Sequence, residues 1–467
     1  MAFGIPIPLI GPTYTNRSLP VSAQVTRNFY VEFNQQAQEV ASFNPFPGLK
    51  LFSTGAGANR SMGRLDDVLY TVSANTLFKV DSFGTQTSIG TIDGVGRCKL
   101  DEDQVGNLVI ATGSGKPYAY DGTTLTQGTD VDLPNASTVT YINRRMVYDG
   151  TGGDIAFADL SVPLSVNSAN VIIAESKADD MKAVFAYKQQ VFGFGSRTIQ
   201  PLYNSGSGNP PYTFVLNATQ EVGIDAIHSI GSNNRFAYFL GSDKIIYQLA
   251  GLALNPIGNP AIGQAIAKYT KTDDAYGMCF TLDNQNFYLL SFPTGNETWL
   301  FNEESGLWTN LAFGTDGSQH LISDYQFIYN KHLVADRRNG NIYELDFETF
   351  TDNGEPIQHR RDTIAINGRT FGRAGAKVFM DRVGIEIETG TSLVTAESQI
   401  IMQYSDDNGR TWSSERFQNI GAQGEFRHQL DWFGMGSFYT RMFRFTMTDN
   451  IKWVLISADA DLELDLG

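Results

Sequence analysis

Ser405-Asp406-Asp407-Asn408-Gly409-Arg410-Thr411-Trp412 is the segment of this chain whose residue types and spacing come nearest to a chemical motif. It fits the S-x-D-x-G-x-T-W pattern of an Asp-box, in which hydroxyl and carboxylate groups meet the backbone donors of a tight hairpin turn, Gly409 takes a positive φ and Trp412 packs beneath. The chemistry of such a box is structural, so Ser405, Asp406, Gly409 and Trp412 are expected to hold a turn. Other reactive groups do not converge in the sequence. The five histidines, His228, His320, His332, His359 and His428, are scattered, with no H-E-x-x-H and no close pair at metal-ligand spacing. Gly113-Ser114-Gly115-Lys116 lacks the leading glycine of a phosphate loop and has Pro117 where magnesium needs Ser or Thr, so it reads as a hairpin turn. No G-x-S-x-G elbow is present. No catalytic residue, cofactor or metal site is expected.

A single Asp-box still raises the question of a glycosidase, because such boxes recur in sialidases. A sialidase-like site also needs an arginine cluster for a substrate carboxylate, a tyrosine nucleophile and a paired acid. The chain holds 20 tyrosines, and no spacing singles out a set. One charge feature is local. Between His359 and Arg382 stand Arg360, Arg361, Arg369, Arg373, Lys377 and Arg382 against Asp362 and Asp381, a net of +4 in a chain of formal charge −16. Such a strip suits an acidic partner subunit or a DNA backbone, with a solvated linker as the plain alternative. Arg360, Arg361, Arg369 and Arg373 are accordingly the expected partner contacts. The balance of 50 acidic to 34 basic residues argues against gripping nucleic acid over the whole surface. An acidic wall repels DNA and suits a passage through which it slides.

The elements that must position these groups are repeated. An apolar strand, a Gly/Asn/Asp turn and a strand ending in an aromatic or acidic residue recur seven times, as in LYTVSANTLFKV, LVIATGSGKPYAY and FAYFLGSDKIIYQL. The first-strand anchors are Leu69, Leu108, Met146, Val191, Phe236, Phe287 and Leu333, in steps of 38 to 51 residues. That is the blade period of a β-propeller. A third strand precedes several hairpins, such as VTYI before Met146 and MCFTL before Phe287, giving an antiparallel meander per unit. One blade cannot bury its own faces, so blades stack around an axis and the loops are free to carry function. Residues 49–355 are expected to close a propeller of six or seven blades.

Residues 1–48 do not share the repeat. They are rich in Pro, Asn and Gln, end in the turn cluster NPFPG and carry alternating Phe29, Val31 and Phe33. They are expected to form an arm that packs on the C-terminal domain. Near Glu355-Pro356 the period stops and longer alternating strands begin. In the last, Ala458, Ala460, Leu462, Leu464 and Leu466 share one face and Asp459, Asp461, Glu463 and Asp465 the other. Residues 356–467 read as an antiparallel β-sandwich, so the whole chain is expected to be all-β, with VIIAESKADDMKAV near Val171 the one place for a short helical turn. The 42% of hydrophobic residues supply substantial cores. Cys98 and Cys279 lie far apart, which points to buried free thiols and a reducing cytosol rather than to disulfides. The start, MAFGIPIPLIGP, has no charged leader and three prolines. Neither a signal peptide nor a membrane span is expected, and the chain reads as soluble.

The order of these segments resembles a known family. Arg27-Asn28-Phe29-Tyr30-Val31-Glu32, Phe46-Pro47-Gly48-Leu49, Leu69–Ser73 with Leu77–Val80, Asp352–Ile357 and the Ser405–Trp412 hairpin are similar to segments of the tail nozzle proteins of short-tailed phages. These are also called packaged-DNA stabilisation proteins or tail accessory factors. The resemblance runs almost the whole length. It implies a propeller joined to a β-rich platform, six copies of which form a ring below the portal and adaptor, line the DNA channel, help retain the packaged genome and support its ejection. Partners implied are the homohexamer itself, the adaptor ring, tail fibres or spikes outside, a needle or plug at the tip, and DNA in transient passage. The implied location is the virion tail, assembled in the host cytoplasm. The family brings no catalytic residue. Two rivals stand beside it. A sialidase-like propeller glycosidase requires a deep axial pocket with converging Arg, Tyr and carboxylates, and a carbohydrate-binding tail module requires exposed aromatics on one rim.

Overall fold

The computed structural model describes residues 4–19, 22–33, 41–173, 179–206, 208–389, 398–420 and 427–465. Each recurring hairpin supplies the second and third strands of a four-stranded antiparallel meander. Blade 1 runs Asn59–Leu65, Val68–Ser73, Thr76–Val80 and Gln86–Thr91. The order repeats in blades 2 to 6, at 99–127, 139–173, 181–214, 231–256 and 276–313. Blade 7 is completed from the other end of the chain: Ile322–Ile328, Lys331–Asp336 and Ile342–Asp346 take Gly48–Ser53 as an antiparallel fourth strand. The first strand of blade 1 packs on the first strands of both blade 2 and blade 7. The wheel is therefore closed, with seven blades among the described residues.

The second strands are apolar on both faces because a neighbouring blade covers each side. In Leu108–Ala111, Leu108 and Ile110 enter the core shared with blade 1, while Val109 and Ala111 enter the core shared with blade 3. In Arg145–Asp149 the same alternation sends Met146 and Tyr148 toward blade 2 and Val147 toward blade 4. One apolar core fills each of the seven junctions. A fully buried aliphatic side chain contributes about 1.5–3 kcal/mol, so the wheel is held by many equivalent contacts. The turns between first and second strands use left-handed pairs such as Asn143-Arg144, Asp283-Asn284 and Tyr329-Asn330, the geometry that suits two-residue hairpins.

Gly113–Lys116 forms the expected turn between Leu108–Ala111 and Tyr118–Tyr120. Where a helical turn is expected near Val171, a 3-10 turn stands at Ser168–Asn170; Val171–Ile173 and Met181–Tyr187 are strands, and residues 174–178 lie outside the described residues. A helix does occur at Pro260–Ile266, after blade 5. Asn259 starts it by accepting the Ile262 N–H at 2.9 Å, with Pro260 in the first turn.

Beyond residue 356, two sheets face each other over a core that includes Phe29, Phe43, Ile385, Met402, Phe443 and Trp453. One sheet has the order Phe29–Phe33, Ala41–Pro45, Trp453–Leu464, Val378–Thr389, Arg427–Phe438, with Ile5–Pro6 also paired to Trp453–Leu464. The other has the order Ala23–Arg27, His359–Asp362, Thr440–Met447, Gln399–Ser405, Arg416–Asn419. Both ends of the chain thus build both sheets. In Trp453–Leu464, Ala458 and Ala460 are buried while Asp459 and Asp461 lie on the other face; Leu466 lies outside the described residues. Cys98 is buried and Cys279 half-buried, both as free thiols. No helix among the described residues is long and apolar enough to cross a membrane.

Candidate assembly surfaces and the interdomain joint

Propeller and sandwich meet on the strand Ala23–Arg27. It lies antiparallel to His359–Asp362 of the sandwich and, through Arg27 beside Asn310, parallel to the outer strand of blade 6, Leu307–Phe313. Blade 6 and one sandwich sheet thereby become a single twelve-stranded sheet. Asn28, at a left-handed φ of 58°, closes the seam with its side chain. Its Nδ2 donates to the carbonyls of Ala312 and Gln358 at 3.0 Å, and its Oδ1 accepts the Ala312 N–H at 2.8 Å. Asparagine suits this position because it tolerates the left-handed conformation and carries both donor and acceptor.

The basic strip does not stay together. Arg361 is fully buried. Its Nε donates to the Leu9 carbonyl at 2.8 Å, Nη1 to Thr26 Oγ1 at 2.8 Å and to the Gly11 and Pro12 carbonyls at 3.3 Å, and Nη2 to Gln24 Oε1 at 2.7 Å. All these acceptors belong to the arm. Burial pulls the guanidinium down to about 9, against the upward pull of the Asp362 charge, so it stays cationic at neutral pH. Arg360 instead shares buried Asp362 with Arg444, the two Nε atoms lying 2.9 and 2.8 Å from Oδ1. Burial pushes the Asp362 carboxyl up, and the two guanidiniums more than reverse that, leaving it below its ordinary range. The expectation that Arg361 faces a partner is thereby corrected, because strand alternation turns it into the core; Arg360 keeps part of its side chain at the surface while Asp362 holds its guanidinium.

Arg369 and Arg373 remain exposed. Arg369 lies in the short turn Gly368–Phe371 and Arg373 two residues beyond it; Asn367 caps the turn by accepting the Arg369 and Thr370 N–H groups. The turn stands at the end of the sandwich opposite the joint, since Ile366 pairs with Arg441 whereas His359 pairs with Met447. Tyr439, 67% exposed, shares that end. Arg382 is committed elsewhere, held by Asp431 at 2.6 Å, Asp461 at 2.9 Å and Asp459.

The Asp-box folds as a turn, but its carboxylate is Asp407 rather than Asp406. Asp407 Oδ1 accepts the Arg410 and Thr411 N–H groups at 2.9 Å and the Ser405 hydroxyl at 2.7 Å, while Oδ2 accepts the Thr411 hydroxyl at 2.6 Å. The Thr411 hydroxyl, followed by these backbone donors, holds the Asp407 carboxyl well below its usual range. Ser405 Oγ accepts the Gly409 N–H at 2.8 Å, and Gly409 has a φ of 84°. Asp406 turns away to Arg441, whose Nε and Nη2 each lie at 2.7 Å from it. Trp412 packs under the Arg444 guanidinium, 3.6 Å from its ring centre. Trp412, Arg444, Asp362 and Arg360 therefore link the box to the joint. Asp407 had a signal in the sequence, being the third position of the pattern; Asn28 and Arg444 had none.

The propeller axis, where a sialidase-like site requires a deep pocket, is nearly filled. Its cavity measures about 50 Å³ and is lined by Ser61, Arg97, Thr138, His228 and Asp324 among others. Ligand pockets occupy about 300–1,000 Å³, so no sugar ring is accommodated there.

A filled propeller, fused through one continuous sheet to a sandwich with cations on its outer tip, defines a two-part all-β protein. Its lineage is equally clear. The chain belongs to the bacteriophage P22 Gp10 family, whose β-propeller matches residues 5–350 and whose β-sandwich matches residues 364–463. This is a phage stabilisation family, a component of the virion tail and not a known enzyme family. No curated protein matches the chain. Among solved structures, the computationally designed Ika8 protein is similar at a TM-score of 0.42 and 11% identity, over 64% of this chain and 100% of that one.

Proposed function

We propose that the chain is one subunit of a hexameric ring in the phage tail, below the portal and adaptor. In this reading 1–48 is the arm that braces the platform, 49–355 the propeller and 356–467 the platform. The Arg369–Arg373 turn docks the platform onto the next copy or onto the adaptor. The observation that carries this reading is the exposure of the arginines: Arg361 is fully buried, while Arg369 and Arg373 are exposed at a capped turn on the outer tip. Guanidinium groups there suit planar carboxylate partners. DNA runs through the ring of copies and not along the propeller axis, whose cavity of about 50 Å³ admits no duplex. The formal charge of −16 repels the passing polyanion, so the ring retains the genome by enclosure and lets it slide on ejection. Fibres or spikes dock outside the ring and a needle or plug closes its tip.

The test is native mass measurement of the purified protein, alone and with an adaptor ring. The double variant Arg369→Glu/Arg373→Glu is expected to weaken assembly, with the deficit depending on salt as screened ion pairs do, and to leave the melting of the monomer unchanged. Normal assembly of the double variant, with normal DNA retention in virions, refutes the tip contact. Failure of the unaltered protein to form any ring refutes the function itself.

A further inference from the structure

The first strands of the blades converge on the axis, and the small cavity they leave has donors in surplus over acceptors. Arg97 Nη2 donates to the Ser323 carbonyl at 2.7 Å and the guanidinium lies 4.2 Å over the Tyr276 ring, yet its Nε is buried with no acceptor. Lys99 opens the first strand of blade 2, and His228 sits in the turn before blade 5. Both line the cavity, and neither side chain makes a hydrogen bond to a described residue. The acceptors on the wall are already in use. Asp324 Oδ2 takes the Ser61 hydroxyl at 2.8 Å and the Met62 N–H at 2.7 Å, and its Oδ1 takes the Tyr325 N–H at 2.9 Å. Thr138 Oγ1 donates to Asp149 and accepts the Val184 N–H, both at 2.9 Å.

We propose that the propeller axis binds one small inorganic anion, gripped by Arg97, Lys99 and His228. An unpaired buried donor costs about 1–3 kcal/mol, and two cations facing one enclosed space repel each other; an anion answers both. Arg97 and Lys99 bring two positive charges to this wall against the one carboxylate of Asp324. A volume of about 50 Å³ is about three to five times what one water requires, which fits a halide or a phosphate and excludes a sugar. The ion would join blade 2, through Arg97 and Lys99, to blade 5, through His228, across the wheel. Since Arg97 already rests on Tyr276 and Ser323, blades 6 and 7 share the same fastening.

The test uses the full chain and bromide. Crystals soaked in bromide are expected to show an anomalous peak within hydrogen-bond distance of Arg97 Nε and the His228 ring. In solution, exchanging gluconate for bromide at fixed ionic strength is expected to raise the melting temperature by several degrees. Lys99→Gln should lower the bromide affinity tenfold or more while melting in gluconate stays as in the unaltered protein; His228→Leu, which removes the opposite donor, should do the same. Absence of the axial peak, a peak without the solution shift, or a shift that survives in both variants overturns the proposal.

Discussion

Leu108 and Arg361 are both fully buried, and the contrast between them separates the propeller from the sandwich. Leu108 packs at the junction of blades 1 and 2, one of seven junctions built from interchangeable aliphatic and aromatic contacts. Arg361 reaches across the chain. Its guanidinium binds arm carbonyls and side chains lying 335 to 352 positions earlier, whereas the buried Arg60 of blade 1 holds the carbonyls of Ala74, Asp93 and Gly96, 14 to 36 positions away. Redundant apolar contacts spread the effect of a lesion, because a neighbouring blade relaxes into the space. A polar clamp cannot spread it, because every acceptor it abandons stays buried and unpaired.

The contrast is tested most severely by placing one substitution in each region. Arg361→Met leaves neutral buried acceptors unpaired, which should destabilise the chain by about 1–3 kcal/mol and split calorimetric melting into two steps, the arm and sandwich going first. Ile110→Val, in a blade junction, should cost about 1 kcal/mol and keep the melting profile whole. A single transition for Arg361→Met, lowered no more than that of Ile110→Val, abolishes the distinction.

The boundary between the regions should respond to pH. Asp352 pairs in register with Leu49 beside blade 7; neither of its oxygens has a hydrogen-bond partner, and His320 lies 3.7 Å away. Burial raises the Asp352 carboxyl to about 8, against the pull of Arg338. A raised folded value means that the folded state prefers the protonated acid, so its contribution is whole below the unfolded value near 4 and is lost as pH climbs through about 8. His320 runs the other way: burial, then Arg337, hold it at about 3, and its contribution is lost as pH falls below about 6.5. Asp352→Asn should therefore match the unaltered protein near pH 4 and exceed it by about 1–3 kcal/mol at pH 8. Urea unfolding at several pH values reads this directly, and parallel curves for the two proteins sink the assignment.

The smallest effect separates the two adjacent carboxylates of the Asp-box. Asp407→Ala, which strips the turn of four accepted bonds, should destabilise the hairpin more than Asp406→Ala, as loss of a capping carboxylate does, and free it to exchange its amide hydrogens. Asp406→Ala, which removes a half-exposed partner of Arg441, should cost less than about 1 kcal/mol. Reversed ranking in hydrogen exchange would return the turn to Asp406.

What could be read from the sequence follows the same division. Six of the seven anchors fall inside the second strand of a blade and Phe236 falls one residue before Ala237–Leu240, because a strand covered on both faces writes its burial into consecutive residues. All seven hairpins serve as blades, which settles the count left open between six and seven. The sandwich strands were visible as alternation, but their partners were not. Nothing local in Ala23–Arg27 announces a neighbour at His359–Asp362, and nothing in Gly48–Ser53 announces that it completes a blade begun at Ile322. Inward and outward arginines look alike in a strip read by charge alone, since one register step along a strand decides between them. The position of the Asp-box carboxylate, in contrast, was available from the spacing.

The twelve-stranded sheet has a mechanical meaning. Its strands lie side by side from the propeller hub to the far edge of the sandwich, so a pull between hub and edge acts across the strands and loads their ladders one after another, as links in a chain. Such a chain parts at its thinnest link. Here that link is the seam beside Leu307–Phe313, where the ladder has a single register pair, Arg27 beside Asn310. The Asn28 N–H to Asn310, the Thr13 N–H to Trp308, both at 2.8 Å, and the Asn28 side chain on Ala312 are its reinforcement. Under tension the ladder would part first at this seam, the fuse of the sheet, while Tyr30 and Phe46 of the arm stay packed in the core between blades 6 and 7.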